Sequence, residues 1–69
     1  MCRSIHRLRD GIVVDDRAAM EEAALQYVRK VSGFTKPAAH NEAVFDQAVA
    51  EITTATERLM DGLVVRGAR

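Results

Sequence analysis

The chain has 69 residues, enough for one domain at most, and its ten basic and ten acidic residues give a net charge of zero. Zero net charge provides no overall field that would attract nucleic acid or a membrane surface. Apolar residues make up 48% of the chain, but aromatic residues only 4%. A core of this size supplies no more than about 3–5 kcal/mol without a metal, disulfides or a partner chain. We therefore expect residues 1–69 to form one small helical domain that needs an additional source of stability, such as a partner chain.

Cysteine content and hydropathy indicate the compartment. Cys2 is the only cysteine, so a disulfide within the chain is excluded. Small secreted domains usually depend on several disulfides, and no apolar run here reaches the length of a signal peptide or a membrane span. These observations predict a cytoplasmic protein that does not enter a membrane.

The first fourteen residues, 1–14, show no helical period and are predicted to form an irregular N-terminal arm. Gly11 interrupts this segment. The β-branched residues 12–14 that follow could form a brief strand. Because no second clear strand is available to pair with them, we expect them to pack as irregular chain.

The first helix is predicted over residues 16–32. Asp16 is the better of two adjacent N-cap candidates, since its carboxylate can accept hydrogen bonds from the first turn. The helix body runs from about Arg17 to Ser32, and its apolar residues recur three and four apart. Gly33 is expected to end it in the left-handed conformation that only glycine adopts cheaply.

The second helix is predicted over residues 37–64, followed by a disordered tail at 65–69. Pro37 suits a first helical turn because its missing N–H is not needed there. Asn41 is a second possible cap, so a single turn at 37–40 could precede a long helix from about Asn41 to Leu63.

The long helix carries an apolar seam with the alternating spacing that keeps one face toward a partner. Its members are Phe45, Val49, Ile52, Thr56, Leu59 and Leu63. The fold class that follows is all-α: an antiparallel two-helix hairpin with an irregular arm. The longer second helix should overhang the first, covered by the arm and by a second chain. We expect a homodimer that forms a four-helix bundle.

Charge segregation fits the same hairpin. Basic Arg29, Lys30 and Lys36 at the turn would lie near Glu42 and Asp46 at the start of the second helix. Such surface pairs contribute only about 0–1 kcal/mol each, so we expect them to fix orientation more than stability.

Three strings of sequence occur together. They are Met1-Cys2-Arg3-x-Ile5 with Leu8-Arg9, the run 24–37 that ends in Ser-Gly-Phe-Thr-Lys-Pro, and Asn41-Glu42-Ala43-x-Phe45 with Ala48-Val49. On these strings the chain resembles the short bacterial proteins of domain of unknown function 2277, from Met1 to about Val64. The resemblance implies a bacterial, cytosolic, helical protein. It implies no activity, cofactor or catalytic residue.

Thiol or metal chemistry is one alternative function. Arg3 and Arg9 could lower the pKa of a thiol at Cys2, and His6 could serve as its base. Cys2, His6 and His40 are the soft metal ligands available, and three ligands fall short of a closed structural zinc site. The competing interpretation of Cys2 is a small apolar side chain that packs the arm onto the helices.

Binding of anions or nucleic acid is the other alternative. It would use the basic residues of the arm and the turn: Arg3, Arg7, Arg9, Arg29, Lys30 and Lys36. Contacts to few phosphates give weak, salt-dependent binding, and the acidic residues that follow the arm oppose it. No helix shows a basic face suited to a groove of nucleic acid.

The sequence thus favours a small non-catalytic interaction or scaffold protein that works as a homodimer, without a cofactor. A further protein partner is possible. Nucleic-acid binding and a function of Cys2 remain open alternatives.

Overall fold

The computed structural model describes residues 5, 7–10 and 13–64. The elements, in chain order, are strands β1 (Arg9–Asp10) and β2 (Val13–Val14), helix α1 (Arg17–Ser32), a short 3-10 helix (Ala39–Asn41) and helix α2 (Glu42–Gly62). The described chain is therefore mostly helical. The predicted tail at 65–69 lies outside the described residues.

Helix α1 has the start and the stop that the sequence predicts. The Asp16 carboxylate accepts a hydrogen bond from the N–H of Ala19 at 3.0 Å, which satisfies one of the free donors of the first turn. At the other end, Gly33 has φ +79°, and its N–H donates to the carbonyl of Arg29 at 3.0 Å. This left-handed residue turns the chain out of the helix.

Helix α2 is shorter than the predicted span of 37–64. Pro37 stands before the 3-10 helix and outside any helical turn, and the α-helix begins only at Glu42. Asn41 precedes it, but with φ −109° and ψ −1° its side chain makes no capping hydrogen bond. At the far end, Leu63 is already extended. The alternative of a single turn followed by a long helix from about Asn41 to Leu63 agrees with these bounds to within one or two residues, whereas the span of 37–64 was too long; Asn41 takes the N-cap position without the expected side-chain hydrogen bond.

The N-terminal arm contains a small β-hairpin, which corrects the prediction of irregular chain. Strands β1 and β2 pair antiparallel, with Arg9 opposite Val14 and Asp10 opposite Val13. The partner strand was overlooked because it is short and charged. The available signal was Gly11 in the two-residue connection, a spacing typical of tight hairpins.

Helices α1 and α2 pack side by side and antiparallel. Arg17 in the first turn of α1 forms an ion pair at 2.7 Å with Glu57 in the last third of α2. Toward the other end, Val28 and Phe45 approach the same groove. The buried apolar side chains among the described residues are Leu8, Met20, Ala24, Val28 and Phe45.

Thr53 lies at the centre of this packing and is 0% exposed, which the predicted seam did not include. Its hydroxyl donates to the carbonyl of Val49 at 2.7 Å, so burial leaves that group satisfied. Ala24 on the facing helix is likewise buried, at 2% exposure. Small side chains allow the helix axes to approach closely.

The predicted seam is divided between two environments. Phe45 is buried and Val49 and Ile52 are half-buried, whereas Leu59 is 53% exposed and Leu63 47% exposed. The apolar arc of α2 is thus wider than one neighbouring helix can cover. The side chains left over are those that a second chain would cover in the expected homodimer.

The arm covers part of the overhanging end of α2, as the sequence predicts. The Arg9 guanidinium donates to the main-chain carbonyl of Met60. Leu8 is buried, and its carbonyl accepts from the N–H of Asp15 at 2.8 Å. The end of α2 near Met60 is therefore held by the β-hairpin.

The expected ion pairs at the turn are not formed. Among the described residues, Arg29, Lys30 and Lys36 make no ion pair with Glu42 or Asp46, and the Arg29 Nε donates instead to the carbonyl of Thr35 at 3.0 Å.

Candidate functional site

An apolar groove opens at the turn end of the hairpin. Its walls come from the last turns of α1, the connecting segment and the first turns of α2, and its volume is about 380 Å³. The lining residues are Tyr27, Val28, Val31, Ser32, Phe34, Pro37, Asn41, Val44, Phe45, Ala48 and Ile52.

At this end the two helices run level with each other, yet several of their apolar side chains remain exposed. Val31 lies on the same face of α1 as buried Ala24 and Val28, yet it is 63% exposed. In an antiparallel pair set by Arg17 and Glu57, a rise of about 1.5 Å per residue places Val31 level with the first turn of α2. Val31 therefore lies beside the start of α2 and lines the groove without being covered.

Large apolar side chains at the rim of the groove remain in contact with water. Val44 is 76% exposed, and Tyr27 and Phe34 are each about half exposed. Clusters of exposed apolar side chains, in contrast to scattered ones, mark binding surfaces.

The chemistry of the groove suits apolar side chains. Its polar lining groups are few, and one of them, the Ser32 hydroxyl, already accepts a hydrogen bond from the N–H of Phe34 at 3.2 Å. Small-molecule sites combine apolar walls with several convergent polar groups that orient the ligand. The groove offers a surface for packing with little that would orient a polar substrate.

The basic residues predicted to bind anions do not converge. Arg9 lies beside Met60 and Arg29 beside Thr35, at opposite ends of the hairpin. Lys30 and Lys36 are exposed at the turn and Arg7 is exposed on the arm. Arg3 lies outside the described residues.

The candidate thiol and metal residues are only partly described. Cys2 and His6 lie outside the described residues, and His40 is exposed in the 3-10 helix. Across residues 5, 7–10 and 13–64, no three His, Cys, Asp or Glu side chains stand close enough to bind a metal together. Within the same part of the chain, no helix combines the length and hydropathy needed to cross a membrane.

The groove was not predicted from the sequence, because the prediction considered only the residues of the seam on α2. The overlooked signal was a wider set of small and apolar residues on α2, three and four positions apart, that shares Ile52 and Leu59 with the seam and extends to one side of it. They are Val44, Ala48, Ile52, Ala55 and Leu59. We call these five residues the exposed stripe: Val44, Ala55 and Leu59 are exposed, Ala48 and Ile52 are half-buried, and the set runs along α2 from the groove toward the helix end.

The fold defines a small helical hairpin with an apolar groove. The entire chain, residues 1–69, matches the family described as "uncharacterized conserved protein (DUF2277)". The chain therefore belongs to this family, as the sequence motifs predicted. Comparisons with curated proteins and with solved structures gave no match.

Proposed function

We propose that the protein is a non-catalytic interaction or scaffold module that works as a homodimer, two hairpins pairing into a four-helix bundle. The observation that carries this proposal is the apolar groove together with the exposed stripe, an uncovered apolar surface along one side of α2. The single cysteine agrees with a reducing compartment, and we therefore place the module in the bacterial cytoplasm.

The shape of the chain supports association. Its radius of gyration is 13.7 Å, whereas a compact domain of this length has about 11 Å. An elongated chain buries less of its apolar surface, and the few buried side chains leave it marginally stable alone. A second protein chain that covered the groove would bury more apolar surface and so raise the stability of the fold.

The available surface is sufficient for a dimer. Specific interfaces bury about 800 Å² on each partner, which is roughly 15% of the 5446 Å² of this chain. A strip along one side of a helix of 21 residues, widened by the rim of the groove, is of that order. The same fold favours association over nucleic-acid binding, because its basic side chains are dispersed.

Sedimentation equilibrium of the full chain under reducing conditions tests the proposal. At low micromolar concentration we expect twice the chain mass of 7.6 kDa. The variant Val44→Glu should be monomeric, because it would bury a charge in the interface. It should keep its helical circular dichroism, because an acidic residue near the start of α2 agrees with the helix dipole.

The matched control is Ala50→Glu, which adds the same charge on the outer side of α2 beside Gln47 and Thr54. It should remain dimeric. A wild-type chain that is folded and monomeric at tens of micromolar would contradict the proposal, and so would equal effects of the two variants.

A further inference from the structure

The exposed stripe continues to the end of α2. The N–H of Leu63 still donates to the carbonyl of Leu59 at 3.0 Å, so Leu63 follows the helical path although its own backbone is extended. Leu59 and Leu63 are both about half exposed. The stripe therefore begins at Val44 beside the groove and ends in two uncovered leucines, about 28 Å away along the helix.

We propose that a second copy of the chain covers the stripe in an antiparallel register, so that the leucine end of each α2 seats in the groove of its partner. This inference rests on the proposed homodimer and specifies its geometry. The two-fold axis would pass between Ile52 and Ala55, near the middle of the stripe.

The sizes of the side chains select this register. In the antiparallel arrangement Ala48 faces Leu59 of the partner, Ile52 faces Ala55 of the partner, and Val44 faces Leu63 of the partner. Each small residue then meets a larger one, which fills space without voids. A parallel pair would place each residue opposite itself, leaving a gap at Ala48 and crowding at Leu59.

The groove and the leucine end complement each other in the same arrangement. The groove has apolar walls but lacks side chains to fill it, whereas Leu59 and Leu63 are apolar side chains that lack a covering. In the antiparallel register each chain supplies both parts. The interface is then isologous and closed, so that association stops at two chains.

Charges beside the stripe agree with this register. Glu51 and Arg58 are seven residues apart, so both lie on the outer flank of the stripe. The two-fold axis brings Glu51 within one helical turn of Arg58 of the partner, and this pair occurs twice. In the part of the chain that the structure describes, Arg58 has no ion-pair partner within its own chain.

Cysteine cross-linking tests the register directly. In a Cys2→Ser background, an equimolar mixture of Val44→Cys and Leu63→Cys chains is oxidised at low micromolar concentration. The expected product is the mixed dimer, identified by mass spectrometry of the disulfide between the two introduced thiols. It should form about 100-fold faster than a control pair containing Ala50→Cys, because thiols within one dimer share an effective concentration near the millimolar range.

The Val44→Cys chain alone should cross-link no faster than the Ala50→Cys chain, because the two copies of position 44 would lie at opposite ends of the dimer. Rapid disulfide formation between two Val44→Cys chains would overturn the register in favour of a parallel pair. Slow cross-linking of every combination would also overturn it, provided that the reduced variants sediment as dimers.

Sedimentation of the reduced chains separates failure of this inference from failure of the proposed function. Monomeric wild-type chain overturns both. A dimer with the wrong cross-links overturns only the register. As a second measurement, Glu51→Arg and Arg58→Glu should each weaken dimerisation several-fold, and the double exchange should restore it.

Discussion

The two ends of the hairpin differ in how completely they are closed. At the closed end, the first turn of α1 meets the last third of α2 through the Arg17–Glu57 pair, and the β-hairpin is bound to Met60. At the open end, a connecting segment without an α-helix separates α1 from α2, and Val31 and Val44 remain in water. The apolar side chains are thus covered at the closed end and partly exposed at the open end.

The difference shows that a short helical chain buries some of its large apolar residues and leaves others exposed. The buried side chains include Met20 and Thr53 toward the closed end, whereas the large side chains of Phe34 and Tyr27 are about half exposed at the open end. Large exposed side chains contribute little to the stability of a single chain, but they contribute strongly when a partner covers them. Substitutions at the two ends should therefore have unequal effects on the monomer.

The largest expected effect is Met20→Ala at the closed end. Met20 is 4% exposed, and truncation of a buried methionine costs about 2–5 kcal/mol through lost burial and a residual cavity. Because the entire core supplies no more than about 3–5 kcal/mol, the variant should be largely unfolded. Urea denaturation followed by circular dichroism, at concentrations where the wild type is monomeric, measures the change.

Val31→Ala is the matched truncation at the open end. Its side chain is mostly exposed, so the free energy of unfolding of the monomer should change by no more than about 0.5 kcal/mol. Equal losses in Met20→Ala and Val31→Ala would show that the open end is closed in solution, and the contrast between the ends would be lost.

Gly33→Ala should have the next largest effect. Gly33 has φ +79°, and no atom lies within 4 Å of the position that a Cβ would take, so the cost is that of the backbone alone. A residue with a Cβ loses about 1–2 kcal/mol in the left-handed region. Thermal denaturation should show a lower midpoint for this variant.

Gly62→Ala is the control for that substitution, because it also adds one methyl group to open space. Gly62 is the last residue of α2 and has no positive φ, so alanine should stabilise the chain by up to about 0.5–1 kcal/mol. Shifts of the same sign for Gly33 and Gly62 would contradict the role of the left-handed turn.

Much of the fold was predictable because local signals determine it. Asp16 and Gly33 define α1 from the sequence, since each has a specific physical role at a helix end. The start of α2 was not predictable to the residue, because Pro37 and Asn41 allow a helix to begin without requiring it. Ends that depend on the path of a connecting segment are decided by packing, which a local pattern does not encode.

The candidate site was predictable only in part. The seam correctly identified one side of α2 as apolar, but it could not separate residues that face α1, such as Phe45, from residues that face outward, such as Leu59. That division depends on how far α1 and α2 overlap, which is a tertiary property. The groove is formed by side chains of both helices and of the connecting segment, and by no single motif.

A smaller effect is expected from the two residues that precede the helices. Asp16→Ala removes a capping hydrogen bond at the closed end and should cost about 1 kcal/mol. Asn41→Ala at the open end removes no such bond, so its effect should be within about 0.5 kcal/mol. Urea denaturation of both variants makes the comparison, and an equal loss in Asn41→Ala would show that Asn41 caps α2 in solution.

The smallest effect concerns charge at the two ends. Arg17 and Glu57 are paired but nearly half exposed, so Glu57→Gln should lower stability by less than about 1 kcal/mol, and salt should reduce the difference. Glu42→Gln at the open end removes a carboxylate that has no ion pair in the described chain, so its remaining effect is that of the helix dipole, about 0.3–1 kcal/mol. The two losses are too similar in size to be distinguished by the free energy of unfolding of the single variants alone.

A double-mutant cycle with Arg17→Gln distinguishes them, because only Glu57 should show a coupling energy with Arg17. A coupling energy of zero for both residues would mean that the ion pair does not hold the closed end, and that its closure depends on the packing around Thr53 and on the bond from Arg9 to the last turn of α2.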